Sequence, residues 1–237
     1  MPVFARPGAR YHAPRGMPIR RARGALVEEI RATTIDPVRI IRAQRFEDAR
    51  GFFSESFAER RFTQAGIEFR CIQDNHVLSA RAHTLRGIHY QLPPFAQAKL
   101  VRVISGAAMD FAVDLRRGSP TFGRHVATLL TKENWLQVYV PEGFGHATLA
   151  LEPDTEFIYK VNAPYSPAHE RGIRWDDADL AIPWGVSRDL ITMSDRDRAL
   201  PLLRDHPDLP AAFADAAAPT IHAKGATPCS DGLSSSS

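Results

Sequence analysis

Only two cysteines, Cys71 and Cys229, occur in 237 residues. One lies in a strand-like stretch and the other near the end of the chain, which argues against a disulfide framework and fits a reducing compartment. Long apolar runs are missing too. No stretch approaches the roughly 20 continuous apolar residues of a membrane helix, and no apolar segment near the start has the form of a secretion signal. A cytoplasmic location is expected, with no membrane partner. Acidic residues are absent from residues 1–24, which carry Arg6, Arg10, Arg15, Arg20, Arg21 and Arg23. Without those six, the 30 basic residues fall to 24 against 27 acidic ones, so the remaining chain is slightly acidic despite an isoelectric point near 9.1. No nucleic-acid partner is therefore expected for the folded part. An Arg-rich, acid-poor start has the composition of a transit peptide or a nucleic-acid arm, but Pro2, Pro7, Pro14 and Pro18 oppose an amphipathic helix. A disordered extension, or a start placed upstream of Met17, is the plainer reading.

Helix signals are also scarce. "SFAERRFTQAG" offers Ser56 as an N-cap and Gly66 as a stop, and "SDRDRALPLL" offers a second short helix. What fills the chain instead is a series of short apolar runs: "FRCIQDNHVL", "KLVRVISGAAMDFAVDL", "RHVATLL", "WLQVYVPEGFGHATLAL" and "TEFIYKV". Each is of strand length, rich in β-branched or aromatic residues, and bounded by Gly, Pro, Asn or Ser. The pattern predicts an all-β domain, an antiparallel jelly roll, over residues 36–208. Residues 1–35 read as the extension, and the Ala-, Pro- and Ser-rich residues 209–237 as a flexible tail.

"PEGFGH", Pro141 to His146, has the P-x-G-x-x-H spacing of the second cupin motif, and cupins are jelly rolls that commonly bind metals. Their first motif supplies two histidines and a glutamate. Here the matching stretch is "HYQLPPFAQ", with Gln91 and Gln97 at the later ligand positions. Neutral amides are poor ligands for transition metals. His89 and His146 alone are too few, so no metal is expected.

A lone strand histidine is ordinarily a satisfied core residue. Strand parity, however, puts Leu85, Gly87, His89 and Gln91 on one face, which is the wall of a polar pocket rather than of a dry core. Gly87 marks a candidate bulge that would bring Arg86 to the same side. Tyr159 shares its parity with Phe157 and Val161, and Lys99 shares its own with Val101 and Val103. Singly, such residues pack or snorkel. Together, a base, a weak acid and a cation directed into one barrel suit proton removal beside a carbonyl, with the lysine stabilising the enolate. A carboxylate should orient the base, but spacing alone does not choose among the acids.

The ordered motifs "RGFFSESF", "QDNHVLS", "LRGIHYQ", "QAKLVRVISG", "AVDLRRGSPTFG", "VPEGFGHA", "EFIYKV", "ERGIRWDD" and "MSDRD" resemble the dTDP-4-dehydrorhamnose 3,5-epimerase family from about residue 38 to 205. The resemblance implies a cupin-type jelly roll that needs no cofactor, works as a homodimer and epimerises C3 and C5 of a dTDP-linked 4-keto-6-deoxyhexose on the way to L-rhamnose. It implies His89 as base, Tyr159 as acid from the opposite face, Lys99 beside the 4-keto oxygen and Asp197 as partner of the base, with Asp195 the weaker choice. Ser194 and Asp197 also have capping-box spacing, a competing structural explanation. The resemblance further implies substrate binding by Arg50, Phe53, Glu55, Gln73, Asn75, Arg86, His146 and Tyr165, and a pyrophosphate suits arginine chemically.

Two departures from the family pattern, Ala147–Thr148 for Gly-Phe and Pro164 for the first of a Tyr-Tyr pair, lie near the sugar and leave its identity open. The alternatives are a single-centre epimerase of another nucleotide-linked 4-keto sugar, a metal-dependent cupin enzyme and a non-catalytic sugar-binding cupin.

Overall fold

The computed structural model describes residues 27–211. In chain order its strands are β1 (Val27–Ala32), β2 (Arg39–Ala43), the short β3 (Phe46–Asp48) and β4 (Gly51–Phe53), β5 (Gln73–Ser79), β6 (Leu85–Gln91) and β7 (Lys99–Ser105). There follow β8 (Ala107–Asp114), β9 (His125–Thr131), β10 (Leu136–Val140), β11 (Phe144–Ala150), β12 (Thr155–Val161) and β13 (Glu170–Gly172). Two short α-helices interrupt them, α1 (Glu59–Gln64) and α2 (Asp195–Arg198). A six-stranded sheet of order β1-β2-β10-β7-β12-β5 faces a five-stranded sheet of order β13-β6-β11-β8-β9, every pairing within them being antiparallel. This is the jelly roll expected from the spacing of the apolar runs. Among the described residues no helix is long and apolar enough to cross a membrane.

Three apolar layers hold the sheets. Between them lie Val101 and Val103 of β7, Ala108 and Ala112 of β8, Phe144 of β11 and Phe157 of β12. The outer face of the five-stranded sheet carries Leu85, Ile88 and Tyr90 of β6 and Ala147 and Leu149 of β11. It is covered by the segment that follows β13, through Ile173, Leu180, Ile182, Trp184 and Leu203. On the six-stranded side, Phe62 of α1 with Ile67 and Phe69 covers Ile41 and Leu100. β11 is consequently buried along its whole length, which is why it reads as a continuous apolar run rather than an alternation. At roughly 1.5–3 kcal/mol for each large side chain removed from water, these layers supply the main driving force for folding.

Three expectations need adjustment. β1 lies within residues 1–35 yet pairs with β2. It is an edge strand with one neighbour, and "VEEIRA" is too polar to stand out by pattern. The remainder of the Arg-rich stretch, and the chain after residue 211, lie outside the described residues. Near the other end, Arg117 bridges Ala211, so the structured chain runs slightly past 208. Ser56 does not cap α1; the N-cap is Ala58, which has no side-chain bond to offer.

The most consequential difference concerns parity. The pairing of β6 with β11 sets His89 opposite His146 but Arg86 opposite Thr148, so β6 carries one extra residue between these points. That bulge falls at Gly87, whose φ is +123°. A Cβ there would come within 2.6 Å of both the Ala147 Cβ and the His146 carbonyl oxygen, so only glycine fits. The shift turns Leu85 to the outer face with Ile88 and Tyr90, contrary to simple alternation. It also leaves Arg86 and His89, three residues apart, opposite Thr148 and His146, two residues apart on β11.

Candidate active site

Polar side chains collect at one end of the space between the sheets, beside the apolar layer. Lys99 precedes Val101 and Val103 on the inward side of β7, and Tyr159 packs against the same layer from β12. The two strands are direct neighbours, with Tyr159 opposite Val101 and Lys99 opposite Val161. From the other sheet come His89 of β6, His146 of β11 and Asp110 of β8. Alternation places Asp110 with Ala108 and Ala112, both of the inner layer.

His89 Nε2 lies 2.9 Å from Asp197 Oδ1, with the His89 side chain 27% exposed and the carboxylate 8%. Asp197 is carried by α2. Its backbone N–H donates to Ser194 Oγ at 3.1 Å, which caps the helix. The two explanations weighed for the Ser194 and Asp197 spacing are therefore both realised, since the cap uses the backbone of Asp197 and the imidazole uses its side chain. Burial alone would raise the Asp197 carboxyl. The hydrogen bond and charge of His89, with smaller contributions from the Gly87 and Ser194 contacts, outweigh burial and hold it below the usual carboxylate range. With Nε2 directed at a carboxylate, the tautomer is fixed and Nδ1 is left as the basic nitrogen. Among the described residues Nδ1 makes no hydrogen bond.

Two further groups share that openness. No hydrogen bond or ion pair reaches the Lys99 ammonium or the Tyr159 hydroxyl among the described residues. Burial drives the Lys99 pKa down to about 8, against the opposing charges of Asp110 and Glu170. The Tyr159 phenol is pushed up by burial and then by Glu170, with Arg86 pulling the other way. Glu170 lies on β13 opposite Gln91. It accepts hydrogen bonds from the Tyr165 hydroxyl at 2.6 Å and from Arg196. Burial pushes its carboxyl up, but these bonds and the nearby His89 prevail and keep it low. One ionised carboxylate thus stands within electrostatic range of the His89 imidazole, the phenol and the lysine.

The other expected residues divide into two groups. Arg86 is near the cluster, its guanidinium held by Ser79 Oγ at 3.3 Å and the Leu78 carbonyl at 3.0 Å. Gln73 donates to Asn75 at 2.8 Å and accepts from the Tyr165 backbone at 3.2 Å. Asn75 in turn stands opposite Tyr159. His146 Nε2 meets Asp110 Oδ2 at 2.8 Å. In contrast, Arg50, Phe53 and Glu55 make no contact with this cluster. Arg50 pairs with Asp48 on the β3–β4 hairpin, Glu55 pairs with Arg61, and Phe53 is 68% exposed.

The amides at the cupin ligand positions hold loops. Gln91 donates to the Phe95 carbonyl at 2.6 Å and accepts from the Ser166 N–H at 2.8 Å, while Gln97 donates to the Ala163 carbonyl at 2.8 Å. Among the described residues no group of three or more His, Cys, Asp or Glu side chains is arranged to hold a metal ion.

Sequence reasoning did not single out Glu170, Arg196 or Asp110. Glu170 and Arg196 lie inside the motifs "ERGIRWDD" and "MSDRD", and Asp110 carried a signal as a charge inside the apolar run "AAMDFAVDL".

Fold and site together define a cupin-like jelly roll with a carboxylate-held histidine, a half-buried phenol and a buried lysine gathered between its sheets. A family model described as dTDP-4-dehydrorhamnose 3,5-epimerase matches residues 32–205, and the chain belongs to that family of isomerases. A dTDP-4-dehydrorhamnose 3,5-epimerase of Sinorhizobium fredii is 45% identical over 174 residues, covering 73% of this chain and 89% of the relative. Among solved structures, dTDP-6-deoxy-D-glucose-3,5-epimerase of Legionella pneumophila in complex with dTDP-4-keto-L-rhamnose is 40% identical, with a TM-score of 0.74, over 78% of this chain and 98% of that one. A 3'-monoepimerase of Streptomyces bikiniensis in complex with dTDP-quinovose is 36% identical, with a TM-score of 0.67, over 73% and 86%.

Proposed function

We propose that the chain epimerises a dTDP-linked 4-keto-6-deoxyhexose at C3 and C5 without a metal, in the pathway to dTDP-L-rhamnose. The carrying observation is the His89–Asp197 pair at 2.9 Å, set beside a phenol and an ammonium that lack internal partners. The 4-keto group acidifies the hydrogens on both neighbouring carbons. His89 Nδ1 removes one of them, and Asp197 stabilises the imidazolium that forms. The Lys99 ammonium faces the charge that develops on O4. Tyr159 then delivers a proton to the opposite face of the enolate, and inversion results. The raised pKa of the phenol suits a group that must hold its proton until that step.

Incubating the protein with the 4-keto sugar in heavy water is expected to place solvent deuterium at both C3 and C5. Deuterium at one carbon would select the single-centre alternative, in keeping with the similarity to a monoepimerase. Deuterium at neither would overturn the proposal.

The working unit is proposed to be a homodimer. Support comes from the β3–β4 hairpin, where Phe46, Phe52 and Phe53 are exposed while the family resemblance assigns Phe53 and Arg50 to the nucleotide. A second copy would supply these residues to the site. Sedimentation is expected to give twice the chain mass. Mixing an Arg50→Ala chain with a His89→Asn chain, each inactive alone, is expected to restore part of the activity. A monomer in sedimentation, or no recovery on mixing, would sink this arrangement.

A further inference from the structure

A second carboxylate–histidine pair lies on the wall that faces Lys99, and it has one feature the first lacks. Asp110 and His146 are both nearly inaccessible, at 1% and 9%. Asp110 Oδ2 meets the His146 ring at 2.8 Å, yet Asp110 Oδ1 is buried without a hydrogen-bond partner. Thr128, its cross-strand neighbour on β9, has a hydroxyl that also finds none. A buried carboxylate oxygen with no donor is costly unless a positive charge compensates it. The buried, unpartnered cation nearby is Lys99, and Asp110 is the foremost of the charges that act on it.

We propose that Asp110 is a positioning residue for the reaction: one carboxylate that orients the His146 ring through Oδ2 and, through the charge on Oδ1, holds Lys99 as an ammonium facing the sugar carbonyl. This rests on the epimerase reading above. Burial by itself would favour the neutral amine, which could not stabilise an enolate at O4. Besides Asp110 from β8, the charged group that acts on Lys99 is Glu170 from β13. The Oε2 of Glu170 is already engaged by Tyr165 and Arg196. Of the two, Asp110 is the one with an oxygen that is buried without a partner.

The chain has only Lys99, Lys132, Lys160 and Lys224, so the titration of each lysine can be followed by NMR on full-length, isotope-labelled protein without any substrate. In the wild type Lys99 is expected to titrate near 8. In Asp110→Asn its midpoint should fall by roughly one to two units, the size of effect of one nearby charge, while Lys160, paired with Asp74 on the outside, stays where it was. Asp110→Glu should restore most of the shift. In catalysis, the alkaline limb of the Asp110→Asn kcat profile should move to lower pH, and this displacement should vanish in a Lys99→Arg background. A Lys99 midpoint indifferent to Asp110→Asn in a folded protein would overturn the proposal. Because the NMR titration needs no sugar, failure of the epimerase reading would leave it intact, and the two failures are distinguishable.

Discussion

Substituting His89 by Asn is expected to lower kcat on the order of 10³-fold, within the range that a positioned general base contributes, and to abolish deuterium incorporation. The reason is geometric. Asn preserves a polar side chain of similar reach but offers no basic nitrogen where Nδ1 stands. Asp197→Asn should cost about 10²-fold or more, because an amide can donate to the imidazole, select the wrong tautomer and leave the imidazolium uncompensated. Base and carboxylate act as one unit, so the double substitution should be hardly worse than His89→Asn alone. His76 provides the control. It is an exposed histidine paired with Glu156 at 2.6 Å on β5 and β12, and His76→Asn should leave kcat unchanged. Independent, multiplicative losses for His89 and Asp197 would show that the pair does not work as a dyad. The measurement is steady-state kinetics on the thymidine-linked 4-keto sugar, with circular dichroism to confirm folding.

Lys99→Met is expected to act in two opposite directions, losing activity on the order of 10²-fold or more while making the protein more stable at neutral pH. The sign follows from linkage. An unfolded lysine titrates at about its ordinary value, whereas folded Lys99 titrates near 8. Between those two values the unfolded chain binds more protons than the folded one, so stability rises with pH across that window. Below about pH 8 the wild type carries the full penalty of a buried ammonium, roughly 3 kcal/mol at one pKa unit per 1.4 kcal/mol. Methionine fills nearly the same volume without charge. Its advantage in urea midpoint should be greatest below pH 8 and fade toward pH 10. A Met variant no more stable than wild type at pH 7 would show that the ammonium is solvated or paired in solution. Such a stability deficit at a reactive group is common where function requires an unpaired charge in a dry place.

Why Lys99 and Tyr159 could be read in advance, and Asp110 and Glu170 could not, follows from what each assignment depends on. An inward direction is a local property. In "KLVRV" and "EFIYKV" the alternation is undisturbed, and the polar residue inherits the face of its valine or phenylalanine neighbours. The role of Gln91 was legible only as an exclusion from metal binding. Its actual work, tying the loops at Phe95 and Ser166 together, depends on chain segments that meet only after folding. Glu170 opens the motif "ERGIRWDD" but shows no alternation that gives it a direction, and its place in the cluster comes from Tyr165 and Arg196 converging on it. The family motif points to Arg50, Phe53 and Glu55, yet within one chain Arg50 and Phe53 stand on an outer hairpin and Glu55 pairs with Arg61 of α1.

The sequence by itself determined the jelly roll, through short apolar runs separated by turn residues, and singled out His89, Tyr159 and Lys99 as the polar residues directed into it, through alternation and ordered motifs. It also marked Gly87 as a break in β6. Only the tertiary structure decided that the break reverses the facing of Leu85 and sets Arg86 and His89 across from Thr148 and His146. It also settled that Asp197, 108 residues beyond His89, rather than Asp195, meets the imidazole. The physical reason is that side-chain facing is set by the backbone two residues at a time. Which carboxylate approaches which imidazole depends instead on strand order across two sheets and on the covering segment that follows β13.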